Sequence, residues 1–299
     1  MGGSDMSTAA IVGAGVIGLS WARLFAEAGW QVRVSDPRPD LEEIVDSELA
    51  GLPVTAFGDL AEAARGADFV QENGPERPEL KKQIFATLAA VTGDGVVLAS
   101  SSSSLLASSF SEGNPAADRI LIGHPFNPPQ LIPLVEVVPS AATAPAIVDR
   151  AVEVYRSLGR LPIRLKKEIP GFVGNRLQRA FNNQAIYLVQ QGVISPGDLD
   201  ELVKASLGIR WATIGPFESM QLGGGPDGML HLLQNVGAEM NYSLGEPDPA
   251  AYGPVLEAVD TTFGAGPEAY EANVRRRDRR TRAITEALAA SDAQAQGQD

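Results

Sequence analysis

The stretch Ala9-Ala10-Ile11-Val12-Gly13-Ala14-Gly15-Val16-Ile17-Gly18, continued by Leu19 to Ala28, Gly29 and then Trp30-Gln31-Val32-Arg33-Val34-Ser35-Asp36, decides the fold. Its first four residues read as a short buried strand, the glycines as a turn, and Leu19 to Ala28 as a helix closed by Gly29. A strand, a glycine turn and a helix start make a phosphate site. Gly13 permits the tight turn, Gly15 lets a pyrophosphate approach the backbone and Gly18 lets helix pack on strand. The N–H groups around Val16 and Ile17 stay free at the positive end of the helix. A glycine turn alone is a weak signal; the second strand strengthens it, because it ends in Asp36 where an acidic residue binds the adenosine ribose hydroxyls. Asp36 would repel a ribose phosphate, so NAD is expected over NADP, with Arg38 the one neighbour that works against that preference.

Outward from this unit, strand-like runs alternate with helical stretches: Val54-Thr55-Ala56, Phe69-Val70-Gln71, Val96 to Ala99, Ile120-Leu121-Ile122, Leu134 to Val138 and Leu161 to Leu165. That alternation predicts an α/β fold, a Rossmann-type doubly wound sheet. Past Lys166 the strand signals stop, and helical patterns cover Phe172 to Gln191, Pro196 to Leu207 and Pro226 to Met240. The expected organisation is an NAD-binding domain over 1–166 and an all-α substrate and dimerisation domain over 167–299, with the small polar tail from Ala289 disordered.

One of the two histidines, His124, lies in Gly123-His124-Pro125-Phe126-Asn127-Pro128-Pro129, and Glu136 follows in Pro133-Leu134-Val135-Glu136-Val137-Val138. A carboxylate on one imidazole nitrogen fixes the tautomer and favours the ring that forms when the other nitrogen takes a proton. The pair therefore reads as a proton-transfer device between two apolar strands. A histidine that merely ends a strand is the plainer alternative.

Composition narrows the rest. The 299 residues are 44% hydrophobic, ample for two cores. The absence of cysteine rules out a disulfide framework, a thiolate nucleophile and cysteine-held zinc or iron–sulfur chemistry, and is compatible with the cytoplasm. No metal site is expected. No apolar run approaches membrane-spanning length, and Met1 to Met6 lacks the charged and apolar regions of a signal peptide and reads as a disordered leader. A net charge of −13 argues against nucleic acid as a partner.

Together these residues resemble the 3-hydroxyacyl-CoA dehydrogenase superfamily nearly end to end. The likeness is carried by the glycine turn, the serine run Ser100 to Leu105, the loop His124 to Pro128, Glu136, and Pro170-Gly171-Phe172-Val173-Gly174-Asn175-Arg176. The resemblance implies that His124 is the catalytic base and Glu136 its partner, that Ser103 and Asn175 contact the substrate oxygen, and that Glu76 and Lys81 lie beside the nicotinamide ribose with Asn127 near the same end. Read from their own surroundings, Asn175 is a helix cap or surface residue, and Glu76 and Lys81 are solvated helix charges. Ser103 is one of five consecutive serines, and only the likeness selects it.

Within the superfamily the chain is most similar to the L-gulonate 3-dehydrogenase or lambda-crystallin branch. That likeness runs through Ile132 to Glu136, Asn175 to Gln178, Val193 to Asp200 and Leu207-Gly208-Ile209-Arg210-Trp211-Ala212, whereas Gly223 to Met229 leans toward L-carnitine dehydrogenases. Arg210 offers a planar fork suited to a small carboxylate, or to an ion pair between helices. Only Pro37 to Ala67 separates Asp36 from the strand at Phe69, too little for the helical hairpin that CoA-using relatives carry there. The expected substrate is a small free 3-hydroxy acid, with a short-chain hydroxyacyl-CoA or carnitine as the enzymatic alternatives and a crystallin-like structural or NAD-sensing role as the non-enzymatic one. A homodimer is implied by the family. The cluster Arg275 to Arg280 reads as a subunit contact, an active-site element or a solvated helix face.

Overall fold

The computed structural model describes residues 6–239 and 242–296. The expected leader lies outside these residues apart from Met6, as does the end of the tail from Gly297. Two compact units divide the chain between Arg176 and Leu177.

The first unit is built on one eight-stranded sheet. Its strands are β1 (Thr8–Val12), β2 (Gln31–Ser35), β3 (Val54–Phe57), β4 (Phe69–Glu72), β5 (Val97–Ser100), β6 (Ile120–Pro125), β7 (Leu134–Pro139) and β8 (Leu161–Arg164), in spatial order β3-β2-β1-β4-β5-β6-β7-β8. Pairing is parallel throughout except between β6 and β7. The intervening helices are α1 (Val16–Glu27), α2 (Leu41–Glu48), α3 (Leu60–Ala64), α4 (Pro78–Val91), α5 (Ser108–Ser111) and α6 (Pro145–Ser157), and α7 (Gly174–Gln190) begins in this unit.

Successive residues of a strand face opposite sides of its sheet, and the two cores follow that alternation. Ala9 and Ile11 of β1 join Trp21, Phe25, Phe69 and Tyr155 on one face. Ala10 and Val12 join Val70, Phe85, Leu88, Phe110 and Phe172 on the other. Apolar side chains on both faces explain why these strands read as continuous hydrophobic runs rather than alternating ones.

The unit runs ten residues past the boundary expected at Lys166. Leu165 and Phe172 are buried in the second core, so the segment after β8 folds back on the sheet before α7 starts. Between Asp36 and Phe69 there is room only for α2, β3 and α3, and no helical hairpin is present.

The second unit is helical. It holds most of α7, then α8 (Pro196–Val203), a π-type turn at Lys204–Gly208, α9 (Ile209–Thr213), α10 (Pro216–Gly223), α11 (Gly228–Glu239), α12 (Gly253–Phe263) and α13 (Gly266–Gln296). The tail expected to be disordered from Ala289 continues α13 as far as Gln296, a correction explained by Ala289, Ala290, Ala293 and Ala295, alanine being the strongest helix former. Among the described residues no helix is long and apolar enough to cross a membrane, and no group of His, Cys, Asp or Glu is placed to hold a metal ion.

Candidate active site

The carboxyl ends of β1, β4, β5 and β6 lie along one edge of the sheet, where open α/β sheets bind ligands. A cleft of about 200 Å³ opens there, lined by Ile17, Asn73, Gly74, Glu76, Ser101 to Ser103, His124, Pro125 and Asn127.

The glycine turn is shaped by steric demand at two positions and by open space at a third. Gly13 has φ of 95°, and a Cβ on Gly18 would stand 1.9 Å from the Gly13 carbonyl oxygen. Gly15 has ordinary extended dihedrals, and a Cβ there would meet nothing within 4 Å. It caps α1 without a side-chain hydrogen bond, so no capping side chain takes the first N–H groups of that helix. The N–H of Gly13 is taken by Ser35 O at 2.7 Å and that of Ala14 by Asp36 Oδ2 at 2.8 Å. A dinucleotide's pyrophosphate fits this cradle. Asp36 stands at the end of β2 as expected, and its Oδ1 accepts from the Arg38 N–H at 3.0 Å. The Arg38 guanidinium is forked onto Asp40 at 2.7 and 2.9 Å, an engagement that offsets its pull on a ribose phosphate.

His124 and Glu136 are direct partners in the antiparallel register of β6 and β7, which sets both side chains on the same face. His124 Nδ1 lies 2.8 Å from Glu136 Oε2. The other oxygen, Oε1, accepts the N–H groups of Val173 and Gly174 at 3.0 Å each, so Glu136 caps the start of α7. Glu136 is 2% exposed. Burial pushes its carboxyl up, yet the hydrogen bond from His124 and those from Gly174 and Val173 more than offset this and hold it below the ordinary value of 4.5. An ionised acceptor fixes the neutral ring's proton on Nδ1 and leaves the Nε2 lone pair free. The Phe126 and Phe172 rings pack on the imidazole, with centroids at 5.5 and 5.4 Å.

The serine run forms the opposite wall. Glu76 Oε1 accepts the Ser103 N–H at 2.6 Å and its hydroxyl at 3.3 Å, Glu76 Oε2 accepts the Ser102 hydroxyl at 2.7 Å, and Asn175 Nδ2 donates to Ser103 O at 3.0 Å. Ser103, Asn175 and Glu76 are thus brought together, with Asn127 nearby in the lining.

Lys81 is placed differently from both readings of the sequence. It is 1% exposed and does not line the cleft; its Nζ lies 2.7 and 2.9 Å from the carboxylate of Glu72, itself fully buried. Glu72 also accepts the Gly74 N–H at 2.6 Å and the Ser100 hydroxyl at 2.5 Å. A carboxylate taken out of water needs a counter-charge, and Lys81 supplies it beneath the wall that Asn73 and Gly74 form. Arg210 sits on α9 in the second unit.

Several lining residues were not singled out in the sequence. Ser101 accepts from Trp21 Nε1 and Gln71 Nε2 and donates to Asn73 Oδ1 at 2.7 Å, while Tyr155 donates to Gln71 at 2.7 Å. Burial holds the Tyr155 hydroxyl far above its usual pKa and outweighs the lowering from its bond to Gln71, so it serves as a structural donor. Position was the available signal, since Asn73 and Ser101 each directly follow a parallel strand.

The chain is similar to known proteins along most of its length. The NAD-binding domain of 3-hydroxyacyl-CoA dehydrogenase matches residues 8–52 and 42–169, and the C-terminal domain of the same family matches 171–257. A 3-hydroxyacyl-CoA dehydrogenase of Gibberella moniliformis is 44% identical over 78% of each chain. The lambda-crystallin homolog of Bos taurus is 42% identical over 87% of this chain and 86% of its own. Among solved structures, the NAD+ dependent 5-formyl-3-hydroxy-2-methylpyridine 4-carboxylic acid 5-dehydrogenase superposes with a TM-score of 0.80 at 29% identity, covering 95% of this chain and 98% of that one.

Proposed function

The chain belongs to the 3-hydroxyacyl-CoA dehydrogenase family, and on that premise we propose that this NAD-dependent oxidoreductase acts on the 3-hydroxyl of a small free 3-hydroxy carboxylate, in the manner of an L-gulonate 3-dehydrogenase. The observation that carries the chemistry is the His124–Glu136 pair, with Nδ1 engaged at 2.8 Å and His124 itself lining the cleft. His124 Nε2 takes the hydroxyl proton and Glu136 stabilises the imidazolium that forms. NAD, when bound, supplies the acceptor for the hydride leaving carbon 3. Ser103 contacts the reacting oxygen, and Asn175 holds Ser103 in place through its carbonyl. Run in reverse, His124 returns the proton.

Two observations favour a free acid over a CoA thioester. The segment from Pro37 to Ala67 is filled by α2, β3 and α3. The solved relative named above is described by a carboxylic acid substrate. The cleft lining holds a carboxylate, Glu76, and no lysine or arginine, so an anionic substrate requires a counter-charge from another part of the chain. We assign that task to Arg210, whose fork matches a carboxylate.

A homodimer formed through the helical unit accompanies this reading. Phe217, Tyr270, Leu244 and Val193 are 72, 71, 68 and 67% exposed, and of the helical unit's residues with a described burial only Gly224 and Gly228 are buried. Helices stabilise a unit by burying an apolar stripe, and a second copy of the same chain supplies the missing surface. Freedom from cysteine accords with a cytoplasmic setting.

Replacing His124 by Ala tests the reading. Turnover is expected to fall by about 10² to 10⁴-fold with NADH affinity within about twofold, well inside the tenfold that 1.4 kcal/mol represents; a variant that keeps most of its turnover removes His124 from the reaction.

A further inference from the structure

Phe172 is the only described residue other than glycine with a positive φ, at 48°. Left-handed backbone is unusual for a bulky side chain and persists where the surroundings over-determine it. Here they do. Phe172 is fully buried, its N–H donates to Ile169 O at 2.9 Å, and it follows Gly171, whose φ is 76°. The reversal it makes turns the next two N–H groups, those of Val173 and Gly174, onto Glu136 Oε1. Its ring lies 5.4 Å from that of His124, as that of Phe126 does at 5.5 Å. Phe126 is itself close-packed against this turn, since a Cβ on Gly174 would stand 2.1 Å from its ring. One residue therefore touches both members of the pair, the histidine through its ring and the glutamate through the backbone it bends.

We infer that Phe172 is a positioning residue for proton transfer, its left-handed turn aiming two N–H groups at Glu136 while its ring fixes the plane of His124. This rests on the reading of His124 as the base, but it concerns the geometry of the pair and can be measured without substrate. The strain at Phe172 is then a functional cost: the unfavourable dihedral accompanies the turn that brings two consecutive N–H groups to the buried Glu136 carboxylate.

The test uses histidine-labelled protein and proton–nitrogen NMR. Only two histidines contribute, and exposed His231, bonded to Asn235 on α11, is an internal reference. In the unmodified enzyme His124 is expected to show a downfield, slowly exchanging Nδ1 proton. In Phe172→Leu, which keeps apolar bulk, that signal should be lost to exchange while His231 is unchanged. Phe172→Met, more adaptable in volume, gives the same reading should the leucine variant not fold. In parallel, kcat of Phe172→Leu is measured with 3-hydroxybutyrate in the wild-type and Glu136→Gln backgrounds. A loss of about tenfold in the first and less than about twofold in the second is the non-additivity expected of residues acting as a unit. An unchanged Nδ1 signal in a folded variant, or fully additive losses, overturns the inference. Retained turnover in His124→Ala overturns the proposed base instead and leaves the NMR result to stand on its own.

Discussion

Gly15 and Gly18 differ in what makes each a glycine, and the difference separates folding from cofactor binding. Gly18 lies against the Gly13 carbonyl, so a methyl group there has no space whether or not a ligand is bound. Gly15 has no backbone strain and no neighbour within 4 Å. Its glycine matters only if something else approaches the backbone. Gly18→Ala is accordingly expected to destabilise the fold by about 1–3 kcal/mol or more, as overpacking does. Gly15→Ala should leave the melting temperature nearly unchanged and weaken NADH binding by about tenfold or more, equivalent to about 1.4 kcal/mol. Thermal melts and NADH fluorescence titrations read the two effects, and a Gly15→Ala protein that binds NADH normally removes the pyrophosphate from that cradle. At this scale the sequence was most legible in the pairing of His124 with Glu136, which the register of β6 and β7 brings to 2.8 Å. It was least legible at Lys81, because burial comes from the carboxylate at Glu72 that the fold places beside it and not from anything in the lysine's own helical pattern.

Glu136 joins two elements, the β6–β7 pair and the start of α7, and carries a pH dependence with it. Its folded carboxyl is held below the ordinary 4.5. A depressed acid contributes stability in full above its unfolded value and loses it as pH falls through the folded one. Glu136→Gln should therefore lose about 1.5–3 kcal/mol relative to wild type at neutral pH, typical of hydrogen bonds to a charged group. That gap should close as pH drops below 4.5, and melting curves across this range check it; a gap independent of pH would detach the stability from the ionised carboxylate. The strands were all legible because apolar β-branched runs separated by glycine and proline survive translation into structure. The helices α10 and α12 were not singled out, since Gly223 to Gly225 and Gly253-Pro254 punctuate that region so heavily that no uninterrupted apolar period emerges. The tail from Ala289 misled in the opposite direction, its small residues reading as disorder when alanine favours helix.

For the whole molecule, two consequences follow from the exposed apolar surface of the helical unit and from the cleft's lack of a cation. Sedimentation at micromolar concentration should give a dimer, and Phe217→Glu, a charge set on a 72% exposed apolar position, should shift it toward monomer; a stable wild-type monomer would contradict the second copy. The substrate is the larger question, and here sequence and structure reach different depths. Family, fold and cofactor were all readable in the glycine turn, the histidine loop and the segment from Pro170 to Arg176. The proposed free acid rests on far fewer residues, and the lean of Gly223 to Met229 toward carnitine enzymes illustrates how little of the sequence separates the branches. The most direct test is the rate of NADH formation by the unmodified protein with L-gulonate, 3-hydroxybutyrate, L-carnitine and 3-hydroxybutyryl-CoA, compared as kcat/KM. The free 3-hydroxy acids L-gulonate or 3-hydroxybutyrate should give the highest value; the highest value with the CoA thioester, or no NADH from any of the four, would contradict the account.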